Sequence, residues 1–116
     1  MLEVLERDDV VLLDCRMDET WNAAGAHIPG AARLPAPSLA DAAAGTLLAP
    51  EVLARRAAAA GATRDADVVV YCGGGVSASF AFAALEAAGY EHLRVYDGSW
   101  SEWSLDPRLP TEPHAT

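Results

Sequence analysis

Apolar residues fall into four short runs, with helical spacing in the stretches between them. Val10-Val11-Leu12-Leu13, Ala31-Ala32-Arg33-Leu34, Val68-Val69-Val70-Tyr71 and the segment from His92 to Tyr96 each read as a strand. The valine run suits a strand covered on both faces. Pro50-Glu51 opens a helix as a first-turn proline and acid should, and Val52, Leu53, Arg55, Arg56 and an alanine run carry it to Gly61. Phe80, Phe82, Ala83, Ala84 and Leu85 predict a second helix ending at Gly89. Trp100 and Trp103, three apart, share one face of a third and are expected to pack on the sheet. Strands alternating with helices predict an α/β fold, an open parallel sheet of four to five strands with helices on both faces. Residues 1–104 form the expected domain. Prolines at 107, 110 and 113 mark residues 105–116 as a tail.

Composition narrows the function classes. A chain of 116 residues suits one core. No apolar run approaches the roughly 18 residues of a membrane span, and the N-terminal stretch is acidic, so a cytoplasmic chain with no membrane partner is expected. Eight arginines against 17 acids give a formal charge of −9, which argues against nucleic acid. That field also repels anionic substrates at long range, so local donors would have to capture them. Cys15 and Cys72 are too few for a disulfide scaffold and fit a reducing compartment. No metal or cofactor is expected.

The chemistry concentrates where the valine strand ends. In Tyr71-Cys72-Gly73-Gly74-Gly75-Val76-Ser77, a cysteine is delivered into a glycine-rich turn that opens a helix. Glycines without a Cβ let the amides of Gly73, Gly74, Gly75, Val76 and Ser77 curl around one centre, and N–H groups at a helix N-terminus favour a thiolate and bind anions. Cys72 is the expected nucleophile. Ser77 is either a further donor or the helix N-cap. A phosphate loop would need a following Gly-Lys-Ser/Thr, which is absent. A cysteine phosphatase would need an arginine six positions after Cys72, where Ala78 stands.

Cys72-Gly73-Gly74-Gly75-Val76-Ser77-Ala78 resembles the active-site loop of the rhodanese family, close to its mercaptopyruvate sulfurtransferase type. Asp14-Cys15-Arg16, His27-Ile28-Pro29-Gly30-Ala31 and Val95-Tyr96-Asp97-Gly98-Ser99-Trp100-Ser101-Glu102-Trp103 resemble further signatures of two-domain members, in the family's order. The resemblance implies transfer of a sulfane sulfur from thiosulfate or 3-mercaptopyruvate, through a persulfide on Cys72, to cyanide or a thiol. It also implies that Arg16 holds the donor's carboxylate, although a structural pair with Asp14 is the plainer reading of that arginine. The segment from Met17 to Ala26 lacks the second arginine of the two-domain members. His27 is expected to be a structural turn histidine. The strand and helix that usually precede the Asp-x-Arg strand are not visible, so the chain is expected to be a short single domain or the catalytic half paired with a second rhodanese domain. A non-catalytic binding module is the alternative. Cys15 is either an ordinary buried residue or a thiol that resolves the persulfide.

Overall fold

The computed structural model describes residues 10–41, 46–73, 76–96 and 99–113. Its elements in chain order are β1 (Val10–Asp14), α1 (Asp18–Ala24), β2 (Ala26–His27), β3 (Ala32–Arg33), a 3-10 turn (Ala36–Leu39), β4 (Ala40–Asp41), β5 (Thr46–Leu47), α2 (Pro50–Ala59), β6 (Asp67–Tyr71), α3 (Val76–Ala87), β7 (Leu93–Val95), α4 (Ser99–Trp103) and β8 (Glu112–Pro113). The four strands read from the sequence form one parallel sheet in the order β3-β1-β6-β7. β1 and β6 are the central pair, in register from Val10 opposite Asp67 to Asp14 opposite Tyr71. Their carboxyl ends therefore finish side by side, which is the edge where open α/β sheets bind ligands.

Side chains alternate across these strands and divide the core in two. Leu13, Cys15, Val68, Val70 and Cys72 point into an aliphatic layer with Leu53 and Ala57 of α2 and Ala78, Ala81, Ala84 and Leu85 of α3. The stripe of Ala78, Ala81, Leu85 and Ala88 has helical spacing, and its alanines let α3 lie close on the sheet. Leu12, Val69 and Tyr71 point the other way, into a layer with Ile28 and Trp103. Helices thus cover both faces, and Trp103 packs on the sheet as expected. Among the described residues no helix is long and apolar enough to cross a membrane.

The proline-containing tail folds back. Trp103 Nε1 donates to the Pro110 carbonyl at 2.7 Å, and β8 pairs antiparallel with β2, where His27 Nε2 stands 2.8 Å from Glu112 Oε1. Isolated prolines without periodicity gave no hint of this, because a two-residue strand is set by its partner and not by its own pattern.

Candidate active site

Cys72 follows β6 directly, 2% exposed, and four residues ahead of the twelve-residue helix α3. Its backbone is held on both sides by the start of α4. The Cys72 N–H donates to Ser99 Oγ at 3.0 Å, and the Cys72 carbonyl accepts the Trp100 N–H at 2.8 Å. The Gly73 carbonyl accepts both the Ser101 N–H at 2.9 Å and the Ser101 hydroxyl at 2.5 Å. Ser99 is fully buried, sits at φ 52° in the left-handed region, and donates its hydroxyl to the Tyr96 carbonyl at 2.7 Å. A non-glycine residue held in that region is sustained by its surroundings. Here the constraint is one hydroxyl bridging the nucleophile's strand and the end of β7.

Thr20 of α1 covers the loop from another side: its methyl carbon would lie 3.4 Å from a Cβ placed on Gly73. A side chain there would touch α1 at ordinary contact distance. Gly74 and Gly75 lie outside the described residues, so part of the expected amide cradle does too. α3 begins at Val76, so Ser77 lies within its first turn and is not its N-cap.

Arg16 takes a different course. It is 1% exposed, and its side chain leaves on the aromatic side of the sheet, opposite Cys72. Nη2 lies 2.7 Å from Asp14 Oδ2 and 2.9 Å from the Ala26 carbonyl, while Nε reaches both Asp14 oxygens at 3.0 Å. The guanidinium carbon lies 5.2 Å from the Trp21 ring centre and 4.6 Å from that of Trp100. This is the geometry of a desolvated cation between π faces, balanced by a carboxylate. Nη1 is buried without a hydrogen-bond partner, so it is the donor left for anything else.

Tyr71 completes this cluster. Its hydroxyl accepts the Ile28 N–H at 3.1 Å, and burial together with the Asp14 carboxylate pushes the phenol well above its usual range. His27 stacks on Trp21 with ring centres 5.0 Å apart, consistent with its structural role.

Cys15 stands next to Cys72 in the β1–β6 register and on the same face, its N–H donating to the Tyr71 carbonyl at 2.7 Å. Neither cysteine is in a disulfide. Burial first, then Asp14 and Cys72, push the Cys15 thiol far up, which makes it a poor nucleophile at neutral pH. The sequence missed the clamp made by Ser99, Trp100 and Ser101. Its signal was the segment after Asp97-Gly98, which resembles a signature of two-domain members while its tryptophans suggested only packing.

Comparison with known proteins agrees with this fold. The rhodanese-like domain model matches residues 1–106. A Mycobacterium tuberculosis protein assigned as a thiosulfate sulfurtransferase, SseB, is 41% identical over 109 residues, covering 87% of this chain and 37% of that protein. The 3-mercaptopyruvate sulfurtransferase of Escherichia coli K12 is 36% identical over 87 residues, covering 75% of this chain and 30% of the relative. The chain thus spans little more than a third, or less, of the curated relatives it matches. Wild-type EanB superposes with a TM-score of 0.88 at 24% identity, over 99% of this chain and 30% of that one, a likeness of fold. A matched family model over nearly the whole chain, an open parallel sheet and a cysteine at its carboxyl edge converge: this chain belongs to the rhodanese-like domain family.

Proposed function

We propose that the domain is a sulfurtransferase that carries a sulfane sulfur on Cys72. The observation that supports this most is the placement of Cys72, at the carboxyl edge of the central strand, ahead of a helix N-terminus and with its backbone clamped by Ser99 and Trp100. In the first step the Cys72 thiolate attacks the outer sulfur of the donor. With thiosulfate the S–S bond breaks and sulfite departs with the electron pair. With 3-mercaptopyruvate the C–S bond breaks and pyruvate leaves as its enolate, which takes up a proton. In the second step cyanide or a thiolate attacks the persulfide's outer sulfur and Cys72 leaves as thiolate.

Amides from Gly73 to Ser77 stabilise the thiolate and the persulfide anion in this reading. Arg16 contributes at most Nη1 to a donor carboxylate, because Asp14 and Ala26 take its other donors. The loop itself carries no basic residue to balance a dianion, and this favours 3-mercaptopyruvate over thiosulfate. A reducing compartment such as the cytoplasm would keep Cys72 available as a thiol for this chemistry.

The test is thiocyanate formation from cyanide with each donor separately, with Cys72→Ser as control. Turnover that depends on Cys72 supports the reading, and the faster donor identifies the substrate. A second reading is favoured by the share of its relatives the chain spans: a catalytic half completed by a second rhodanese domain. It predicts that Cys72 accepts sulfur stoichiometrically but turns over slowly until that domain is supplied. Absence of any Cys72 persulfide with either donor would leave a binding module and overturn both.

A further inference from the structure

We propose that a groove beside the Cys72 loop is the acceptor subsite, and that the acceptor it fits is a small thiol with an apolar body and no negative charge. This deepens the sulfurtransferase reading and rests on it. The groove, about 230 Å³, is lined by Met17, Ala36, Pro37, Ala40, Ser77 and Phe80. Five of those six are apolar. Met17 and Phe80 remain 47% and 40% exposed although both are large and apolar, an arrangement that costs solvation unless something covers them.

The groove's walls tie it to the reactive loop. Ser77, its polar lining side chain, stands in the first turn of α3 immediately after the glycine segment. Met17 precedes α1, the helix whose Thr20 packs against Gly73. A thiol lying between Met17 and Phe80 would therefore have the loop at one end. The groove's size suits a small molecule. At roughly 30 Å³ per water-sized group the groove takes about eight such groups, below the 300 Å³ or so at which drug-sized pockets begin.

Charge sets the class. An adjoining hollow of about 290 Å³ shares Met17 and Pro37 and adds Asp18 and Glu19 to the rim. Asp18 is paired with Arg33, but Glu19 is exposed, and the chain's formal charge is −9. A thiol carrying a carboxylate meets repulsion at this mouth, while a neutral one is held by the apolar walls and gives its proton to the outer sulfur of the persulfide anion as the new S–S bond forms, so that RSSH leaves and Cys72 is left as thiolate. The two half-reactions would then use different surfaces: amides for the anionic donor, side chains for the acceptor.

The experiment loads the Cys72 persulfide and measures kcat/KM for its discharge by neutral ω-hydroxyalkanethiols of two to six carbons, with cyanide as internal reference and 6-mercaptohexanoate as the anionic counterpart. The expected rise is about twofold per methylene, half of the roughly fourfold that complete burial would give, because one side of the groove is open. Across four methylenes that is roughly tenfold or more, and the carboxylate thiol should run at least about tenfold below its hydroxyl analogue. Phe80→Ser or Met17→Ser should lower the six-carbon thiol relative to cyanide by about fivefold or more. A flat series, or variants that keep the slope, overturns the proposal. Loss of cyanide turnover itself would overturn the sulfurtransferase reading instead. In that event binding of 1,6-hexanediol to Cys72→Ser protein, followed by saturation-transfer NMR, still decides the groove: signal abolished by Phe80→Ser supports it, and signal unaffected by that change sinks it.

Discussion

The two faces of the sheet are built from the same strands but by different physics. On the face that carries Cys72, valines, leucines and the alanines of α3 close-pack with few polar atoms. On the other, Asp14, Arg16 and the Tyr71 hydroxyl form a buried polar cluster framed by Trp21 and Trp100, with Trp103 beneath. One residue of offset along β1 decides which face a group joins, since Cys15 and Arg16 are neighbours in sequence yet enter opposite layers. The lesson is a division of labour. The aliphatic face carries Cys72 at the carboxyl end of β6, four residues ahead of α3, and the polar face ties the ends of β1 and β6 to Ala26, Ile28 and the two tryptophans.

The comparison is broken most severely at the nucleophile. Cys72→Ser should cut thiocyanate formation by about a thousandfold or more, because the persulfide cannot form. Cys15→Ala, on the same face and one strand away, should stay within about threefold in the same assay. Asp14→Ala is the largest expected stability change. It leaves the Arg16 charge buried and uncompensated, at a cost of about 3–5 kcal/mol in urea unfolding. On the aliphatic face the sensitive direction is size: Ala81→Leu should cost about 1–3 kcal/mol by forcing α3 off the sheet, while the exposed Ala83→Leu should cost little.

A graded effect is expected in alkaline solution. Cys15 is raised from its ordinary 9.0, and Tyr71 is likewise raised from 10.0, so the folded chain keeps protons that the unfolded chain loses. Their contribution to stability is fully present below pH 9 and declines above it, by about 1.4 kcal/mol per pH unit for each group. Chemical denaturation at pH 8, 9 and 10 should show this fall. Cys15→Ala should flatten the portion between pH 9 and 10, and an unchanged slope would mean the thiol titrates before unfolding.

Much of this was legible in residue order. The four apolar runs became the four strands of the sheet, the valine and leucine runs of β1 and β6 as its buried centre and the short, less buried β3 and β7 as its edges, and a glycine stretch between a valine strand and a helical run leaves a cysteine at a strand-to-helix corner. The role of Arg16 was legible only as two alternatives. Neither composition nor spacing could place its guanidinium between two tryptophans that are respectively 5 and 84 positions away. The C-terminal segment misled for a similar reason. Its prolines break local periodicity, while its anchors, Trp103 to Pro110 and Glu112 to His27, are tertiary contacts.

By itself the sequence determined the α/β class, the place of Cys72 between a strand and a helix, and the family, since these follow from local periodicity, glycine's conformational freedom and short contiguous motifs. Only the tertiary structure decided which groups meet. It set Ser99 under the Cys72 amide 27 residues away, turned Arg16 away from the nucleophile and opened an apolar groove from Met17 to Phe80 beside the loop. Such meetings depend on strand register and helix docking, which are settled by the packing of the whole core and leave no mark in any one stretch of the chain.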